Sequence, residues 1–497
     1  MSDERALLGA ICAHPDEDTP RLAYADWLDE HVGSMPAKQR ESVRMRAELI
    51  RVQCELARLP PDEVDVDTAT RRVELELRQE ALLSDTARRE AWAKPLHPPP
   101  SGHEEFVPDK GRFVRGFPGF AANPYTVTNG YLTVGEAIFD VSPVHHISCR
   151  NIQGESADKF LALRWLRRVR RLSISTHRDT SGWMGAPGAS SWRESGDGTD
   201  VSATEKLFAA PGLANLEELE LRNWEFGAPG APVAGRALTA LRKLNLWGGR
   251  VSGPEAFVRL GELLPSEVRL RDFTLSDCRF GAEELRALAA LPQLECLERL
   301  TLGSRFGEVL GQTPPLEPEG VQAITSAPFW PHLRSFRDNM GRSGFTADAI
   351  HELVSAPPAP ALRTLTLPGT NFRMAFVTLL CSPLLASVTA LDLSGTRYGD
   401  FFASYVGLTP HLGQLLHLKV NNCEIASKGV KSLASASFAA NLVRLELQRS
   451  LINKAAVNAL VAPGAFPRLR WLDVSGSVNN TEQKERLRAR FGDGVRL

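Results

Sequence analysis

The last third of the chain alternates apolar and polar residues in short segments that recur at a nearly constant interval. The segments read LRTLTLPGTNF, VTALDLSGTRY, LLHLKVNNCEI, LVRLELQRSLI and LRWLDVSGSVN, and their central leucines are 26, 27, 27 and 27 residues apart. Alternation with a period of two predicts a strand with leucines on one side and the intervening residues on the other. The stretches between segments carry helical apolar spacing. The pattern therefore predicts repeated strand–helix units.

The same phase continues toward the N-terminus, with steps mostly of 25 to 29 residues. The twelve centres are Ile147, Leu172, Leu219, Leu244, Phe273, Leu300, Phe336, Leu365, Leu391, Leu418, Leu445 and Leu472. These units resemble leucine-rich repeats of the ribonuclease-inhibitor type. The resemblance implies an α/β fold in which a curved leucine-rich repeat solenoid has parallel strands on its concave face and helices on its convex face. It is expected to span residues 106–480, with about 11 to 12 repeats.

Two steps are longer than the rest and predict inserted loops. The step from Leu172 to Leu219 is 47 residues and the step from Leu300 to Phe336 is 36, which places Gly-, Pro- and Ser-rich inserts at 176–200 and 303–320. Residues 481–497 are predicted as a C-terminal capping helix, with Thr481 as its N-cap and Gly492 as its end.

Residues 1–59 are predicted to form a small helical domain. A first helix ends near Ala13, and Thr19 with Pro20 supplies an N-cap and a first-turn residue for a second helix. A third helix is predicted from about Ala37 to Leu59.

Residues 60–105 are predicted as a connector. A charged helix or helix pair is expected over 62–93, followed by the Pro-rich break KPLHPPPSGHEE at 94–105. The segment GRFVRGFPGF then predicts a strand ahead of the first full repeat.

The segments TPRLAYADWLDE and AELIRVQCELARL resemble a short domain that precedes repeats in large paralogous families of planctomycete bacteria, called here the companion domain. The matching residues are Pro20, Arg21, Leu22, Tyr24, Ala25, Asp26, Trp27, Leu28, Glu48, Ile50, Gln53 and Leu59. The resemblance implies an architecture rather than an activity. We expect Trp27 in the core and Tyr24 and Asp26 as bridges to the next helices, with a docking surface as the alternative.

The outward residues of successive strands form the candidate binding face. Its mixed charge and its tryptophans suit a protein partner better than a lipid or a polyanion. The candidates are Arg171, Glu218, Glu220, Arg222, Lys243, Asn245, Trp247, Arg337, Asp392, Lys419, Asn421, Glu446, Gln448, Trp471 and Asp473, together with Trp183 and Trp192 of the first insert. Each tryptophan is either a partner contact or packs on its own solenoid.

The ninth position of the repeat is expected to turn the chain inward. A small polar side chain there can satisfy backbone groups of the loop. This position holds Cys278, Thr370, Thr396, Cys423, Ser450 and Ser477.

Composition narrows the function classes. The 497 residues include 58 Lys and Arg against 59 Asp and Glu, and this balance gives no support to phosphate-dominated nucleic-acid binding. The N-terminus lacks the pattern of a signal peptide, and the longest apolar runs are too short to span a membrane, so we expect a cytoplasmic protein. We expect it to be monomeric. The seven scattered cysteines predict neither a disulfide framework nor a zinc site. We expect no cofactor and no metal.

The leading hypothesis is a non-catalytic scaffold or adaptor that presents the concave repeat surface to a protein partner. The alternative is a regulator of an enzyme, either an inhibitor or a GTPase activator, acting through the same surface with Arg337 and Asn339 as possible positioned groups. A third hypothesis, an enzyme acting through the companion domain, lacks a recognisable acid–base or nucleophile set.

Overall fold

The structure is a computed structural model. It describes residues 3–93, 108–120, 143, 146–149, 152, 154–175, 201–249, 251, 253–278, 280–303, 315–339, 344–369 and 374–497. The chain divides into two compact units. The first unit contains Met1–Ala57 and Gln79–Leu270, and the second contains Arg58–Arg78 and Arg271–Leu497.

The chain begins with five helices. They are α1 Asp3–Ala13, α2 Thr19–His31, α3 Ala37–Arg58, α4 Val66–Leu83 and α5 Thr86–Trp92. The predicted helix pair over 62–93 is therefore present as α4 and α5. In the first unit, α1, α2 and α3 share a core whose buried members are Leu8, Ile11, Tyr24, Ala25, Leu28, Ala47, Ile50, Cys54 and Phe117.

Side chains of α2 join this core to α3 as the sequence predicted. Tyr24 is 3% exposed and stacks on Trp27, which packs against the core. Asp26 and Asp29 each lie 2.7 Å from a guanidinium nitrogen of Arg51. The predicted N-cap at Thr19 is wrong by one residue. Asp18 occupies the N-cap position and Thr19 begins the helix.

The segment GRFVRGFPGF, predicted as a single strand, instead contains the end of β1 Pro108–Val114, a turn and β2 Phe117–Phe120, which pair as an antiparallel hairpin. Its turn packs on α3, where the amide of Gly116 donates to Gln53 Oε1 at 2.6 Å. Gly116 has a φ of +85°, and a Cβ there would lie 2.2 Å from Ile50 Cγ1, so the turn requires glycine. Phe117 thus completes the helical core instead of the first repeat.

The repeat strands of the first unit form a parallel sheet in the order β3–β4–β5–β6. The strands are β3 Ile147–Cys149, β4 Arg171–Ser175, β5 Glu218–Arg222 and β6 Lys243–Trp247. Helices follow individual strands, namely α6 Gly154–Leu161, α7 Val201–Ala209 and α8 Glu255–Leu263. A helix therefore follows β3, β4 and β6 as the repeat pattern predicts, whereas residues 223–242 between β5 and β6 contain no helix.

The second unit continues this alternation. Its strands are β7 Asp272–Ser276, β8 Arg299–Gly303, β9 Ser335–Asn339, β10 Thr364–Thr366, β11 Ala390–Asp392, β12 His417–Lys419, β13 Arg444–Glu446, β14 Trp471–Asp473 and β15 Val495–Arg496. Its helices are α9 Ala282–Ala289, α10 Pro318–Thr325, α11 Ala347–Ser355, α12 Ala375–Leu380, α13 Gly399–Leu408, α14 Ser427–Ala434, α15 Lys454–Val461 and α16 Thr481–Phe491. Each strand pairs in parallel with the next.

The strand register places the predicted centres side by side. Ile147 pairs with Leu172 and then Leu219 with Leu244 in the first unit, and Phe273 pairs with Leu300 in the second. From Leu300 onward each centre lies opposite the next one up to Leu472. The fold class predicted from the sequence, an α/β leucine-rich repeat solenoid with a small helical N-terminal domain, is confirmed.

Small polar side chains at several of the ninth positions satisfy loop carbonyls, as predicted, whereas Ser450 Oγ is buried without a hydrogen-bond partner among the described residues. Thr396 donates to the carbonyl of Leu393 at 2.9 Å, Cys423 to that of Asn421 at 3.3 Å and Ser477 to that of Leu447 at 2.8 Å. Thr370 lies outside the described residues.

The C-terminal segment differs from a simple capping helix. The N-cap is Asn480, whose side chain accepts from the amide of Gln483, so the prediction of Thr481 is wrong by one residue. The helix ends at Gly492 as expected. Val495–Arg496 then add a further strand, with Val495 opposite Leu472. The predicted domain boundaries stay a prediction.

Candidate protein-binding face

In the first unit, the outward residues of β4, β5 and β6 lie in rows across the sheet. One row is Arg171, Glu218 and Lys243. Glu218 lies between the two cations, 3.7 Å from Arg171 Nε and 3.0 Å from Lys243 Nζ. The side chains of Arg171 and Lys243 are 41% and 36% exposed, so their charged groups are accessible while the ion pairs fix their positions.

The next rows carry the remaining candidates of the first unit. Glu220 pairs with Asn245 in the sheet, and Arg222 pairs with Trp247. Arg222 Nε lies 2.6 Å from Glu220 Oε1, and its guanidinium carbon lies 5.9 Å from the centre of the Trp247 ring. Arg222 is 51% exposed, whereas Asn245 is buried. We call Arg171, Glu218, Glu220, Arg222, Lys243 and Trp247 the first strand face.

The corresponding residues of the second unit form a hydrogen-bonded ladder across β11 to β14. Lys419 Nζ lies 3.3 Å from Asp392 Oδ2. Glu446 accepts from Asn421 Nδ2 at 3.1 Å, and Gln448 Nε2 donates to Asp473 Oδ2 at 2.6 Å. We call Asp392, His417, Lys419, Asn421, Glu446, Gln448 and Asp473 the second strand face.

Within this ladder, the pKa of Glu446 is lowered by its neighbours. Glu446 is 16% exposed and its Oε1 lies 3.1 Å from His417 Nε2. Burial alone would raise its pKa, but the hydrogen bond and charge of His417, the charge of Lys419 and the amide of Asn421 lower the pKa of Glu446 to about 2. The charged carboxylate is therefore part of the folded ladder.

Trp471 and Arg337 also lie on the second unit. Trp471 is half-buried, with the guanidinium carbons of Arg444 and Arg496 at 4.9 and 4.6 Å from its ring centre. Arg337 is exposed and its Nε donates to Ser335 Oγ of the same strand at 3.1 Å. Trp183 and Trp192 lie outside the described residues.

One contributor was missed by the sequence analysis, because Arg496 comes from a strand that the repeat pattern did not predict. His417 on β12 and Arg444 on β13 follow the predicted outward alternation, in the same column as Arg171 and Glu218. The position two residues before the strand centre carries apolar Leu416 and Val443 at β12 and β13, where other repeats carry polar residues such as Arg242 and Thr389. Leu416 and Val443 are buried, at 3% and 1% exposure.

Comparison with known proteins gives low-identity structural alignments alone. No protein-family model matches the chain, and no curated protein matches its sequence. An internalin from Listeria monocytogenes aligns with 13% identity and a TM-score of 0.38, over 86% of this chain and 98% of that chain. A chain of the yeast complex of Rad7 and Elc1 aligns with 13% identity and a TM-score of 0.40, over 92% and 87%.

A protein from Bacteroides fragilis aligns with 12% identity and a TM-score of 0.32, over 66% of this chain and 72% of that chain. The ribonuclease-inhibitor type of the repeats and the companion domain therefore stay predictions.

Within the described residues, no group of three or more His, Cys, Asp or Glu is arranged to hold a metal ion. None of the described helices is long and apolar enough to cross a membrane.

Proposed function

We propose that this protein is a non-catalytic scaffold that binds a protein partner through the first strand face. The supporting observation is the combination of fixed position and accessibility in that surface. Arg171, Lys243 and Arg222 are each held by a carboxylate, yet between 36% and 51% of each side chain is exposed. Side chains that are already ordered lose little conformational entropy on binding, so more of the contact energy appears as affinity.

The chemistry of the surface indicates the kind of partner. A tryptophan bordered by an arginine and by alternating charges has the composition of a protein–protein contact with a central aromatic residue and a polar rim. A typical partner covers about 800 Å² of such a surface. The enzyme-regulator alternative has no additional support from the described residues, and the compartment and oligomeric state stay predictions.

The test is affinity capture from native cytosol followed by quantitative mass spectrometry. The bait is the full chain, its Trp247→Ala/Lys243→Glu variant, and the matched charge reversal Lys431→Glu on the exposed surface of α14. The proposal expects a protein that is captured by the wild type and by Lys431→Glu and is lost with the double variant.

A partner that the double variant retains would contradict this binding surface. A partner lost with both variants would indicate a general loss of folding or solubility, which circular dichroism of each bait distinguishes. Rebinding of the purified partner to each purified bait then separates a direct contact from an indirect one.

A further inference from the structure

In the second unit, residues 62–77 lie along the edge where the strands begin. We call these residues, which include most of α4, the strap. The strap contacts a surface that we call the edge groove, formed by Arg299, Thr389, Leu416, Val443, Arg444 and Trp471. The groove includes Leu416 and Val443, the two apolar residues at a position where the other repeats carry polar residues.

One face of the strap helix packs on one row of apolar residues in the groove. Ala69 and Val73 of the strap are both 0% exposed and pack with Leu416 and Val443. Val66, Leu77 and Trp471 flank this cluster. The spacing of Val66, Ala69, Val73 and Leu77 is that of a single helical stripe.

Polar contacts hold the strap at both ends. Asp62, which is 4% exposed, lies 2.9 Å from a guanidinium nitrogen of Arg299. Thr389 Oγ1 donates to the carbonyl of Glu63 at 2.6 Å. Toward the other end, Glu76 forms an ion pair with Arg444, whose guanidinium also stacks on Trp471.

The charge of the strap complements that of the groove. The strap carries six carboxylates, at residues 62, 63, 65, 67, 74 and 76, against two arginines at 71 and 72. The groove meets it with Arg299 and Arg444 on either side of an apolar row. The site therefore has the features of a helix-binding groove, in which apolar anchors at helical spacing supply affinity and flanking charges select the sign of the ligand.

We propose that the edge groove is a docking site for an acidic amphipathic helix, and that the strap occupies it as a displaceable ligand within the same chain. The strap contacts the groove mainly through side chains, whereas strands β10 to β14 are paired through their backbones on both sides. An element held to its neighbours mainly by side chains opens at lower free energy than core strands that are paired through their backbones. The inference goes beyond the scaffold role, because it concerns a different surface.

Tethering determines how a competing helix behaves. A strap on the same chain acts at an effective concentration of roughly millimolar. A free helix with the same sequence therefore competes poorly with it for the groove. Weakening the strap removes this competition and raises the apparent affinity of the groove for a free helix.

The first experiment uses the full chain and a fluorescein-labelled synthetic peptide with the sequence of residues 60–80. Binding is measured by fluorescence anisotropy to the wild type, to Val73→Asp on the buried face of the strap and to Arg71→Asp on its exposed face. The proposal expects at least about tenfold tighter binding to Val73→Asp than to the other two chains. Adding Val443→Asp to the Val73→Asp chain should abolish binding, and so should the Val73→Asp change within the peptide.

Equal binding to the wild type and to Val73→Asp, or no binding to a folded Val73→Asp chain, would overturn the proposal. Loss of cooperative unfolding in Val73→Asp would also overturn it, since the strap would then be an obligatory part of the second unit.

A second experiment needs no variant. Native-state hydrogen exchange of the wild type should show that amides of residues 69–77 open at lower free energy than those of Leu391, Leu418 and Leu445. Equal opening free energies would contradict displacement. Neither experiment involves the partner of the first strand face, so the scaffold proposal can fail without affecting this one.

Discussion

The two strand faces are built from the same repeat but use their charges differently. In the first strand face, Arg222 is 51% exposed and each ion pair involves a side chain that solvent reaches. In the second strand face, Asp392 and Glu446 are 14% and 16% exposed and are held by neighbours on adjacent strands. The strap also covers the edge of β12 and β13. The same repeat can therefore present charges to solvent in one region and use them to hold neighbouring strands together in another.

The largest expected effect on the free energy of unfolding comes from placing a carboxylate two residues before a strand centre. We compare this position in the second unit, at Val443, with the same position in the first unit, at Arg242. Val443 is buried beneath the strap, whereas Arg242 is exposed at the corresponding position before β6. We expect Val443→Asp to lower the free energy of unfolding by about 3 kcal/mol or more, because it buries a carboxylate without a partner. Arg242→Asp should change it by less than about 0.5 kcal/mol. Urea denaturation of both variants checks this, and equal losses would show that the two edges are covered alike.

The next largest effect on the free energy of unfolding is expected from two ion-paired glutamates, Glu446 of the second strand face and Glu218 of the first. Glu446→Gln should lower the free energy of unfolding by about 2 kcal/mol at neutral pH, because Gln cannot replace the charge-assisted bonds to His417 and Asn421. Glu218→Gln should lower it by about 0.5 kcal/mol or less, since its cations are accessible to water. Denaturant titrations of the two variants provide the test. A larger loss for Glu218→Gln would reverse the comparison.

A smaller effect follows from the pKa of Glu446. Its value of about 2 in the folded protein lies below its ordinary value of 4.5. The stabilisation is therefore fully present above pH 4.5 and is lost as the pH falls from 4.5 toward 2. The difference in unfolding free energy between the wild type and Glu446→Gln should shrink over this range. A difference that stays constant between neutral pH and about pH 3 would exclude a lowered pKa.

The sequence could predict the repeat because its signal is local and recurrent. Each centre lies within a period-two segment at a regular interval, so the register from Leu300 to Leu472 was available without a structure. The face candidates followed from the same alternation. Their accessibility did not, because the burial of Asn245, Asn421 and Asp473 depends on neighbours from adjacent strands.

The missed features depend on contacts distant in sequence or on very short segments. The strap was predicted as a charged helix, but its partners Leu416 and Val443 lie more than 300 residues away. The available signal was their apolar character at a position where the other repeats carry polar residues. Strand β15 has two residues and follows Leu472 by 23, which falls short of the repeat interval. The N-caps at 18 and 480 were shifted because two capping-type residues are adjacent at each place.

Binding through the first strand face is tested most directly by the affinity of the captured partner for two matched charge-reversal variants. Lys243 and Lys419 are 36% and 37% exposed, and each is paired with a carboxylate, at 3.0 and 3.3 Å. Calorimetry with the purified partner should show about tenfold or greater weakening for Lys243→Glu and less than about twofold for Lys419→Glu. Stronger weakening by Lys419→Glu, or equal weakening by both, would contradict the assignment of binding to the first strand face.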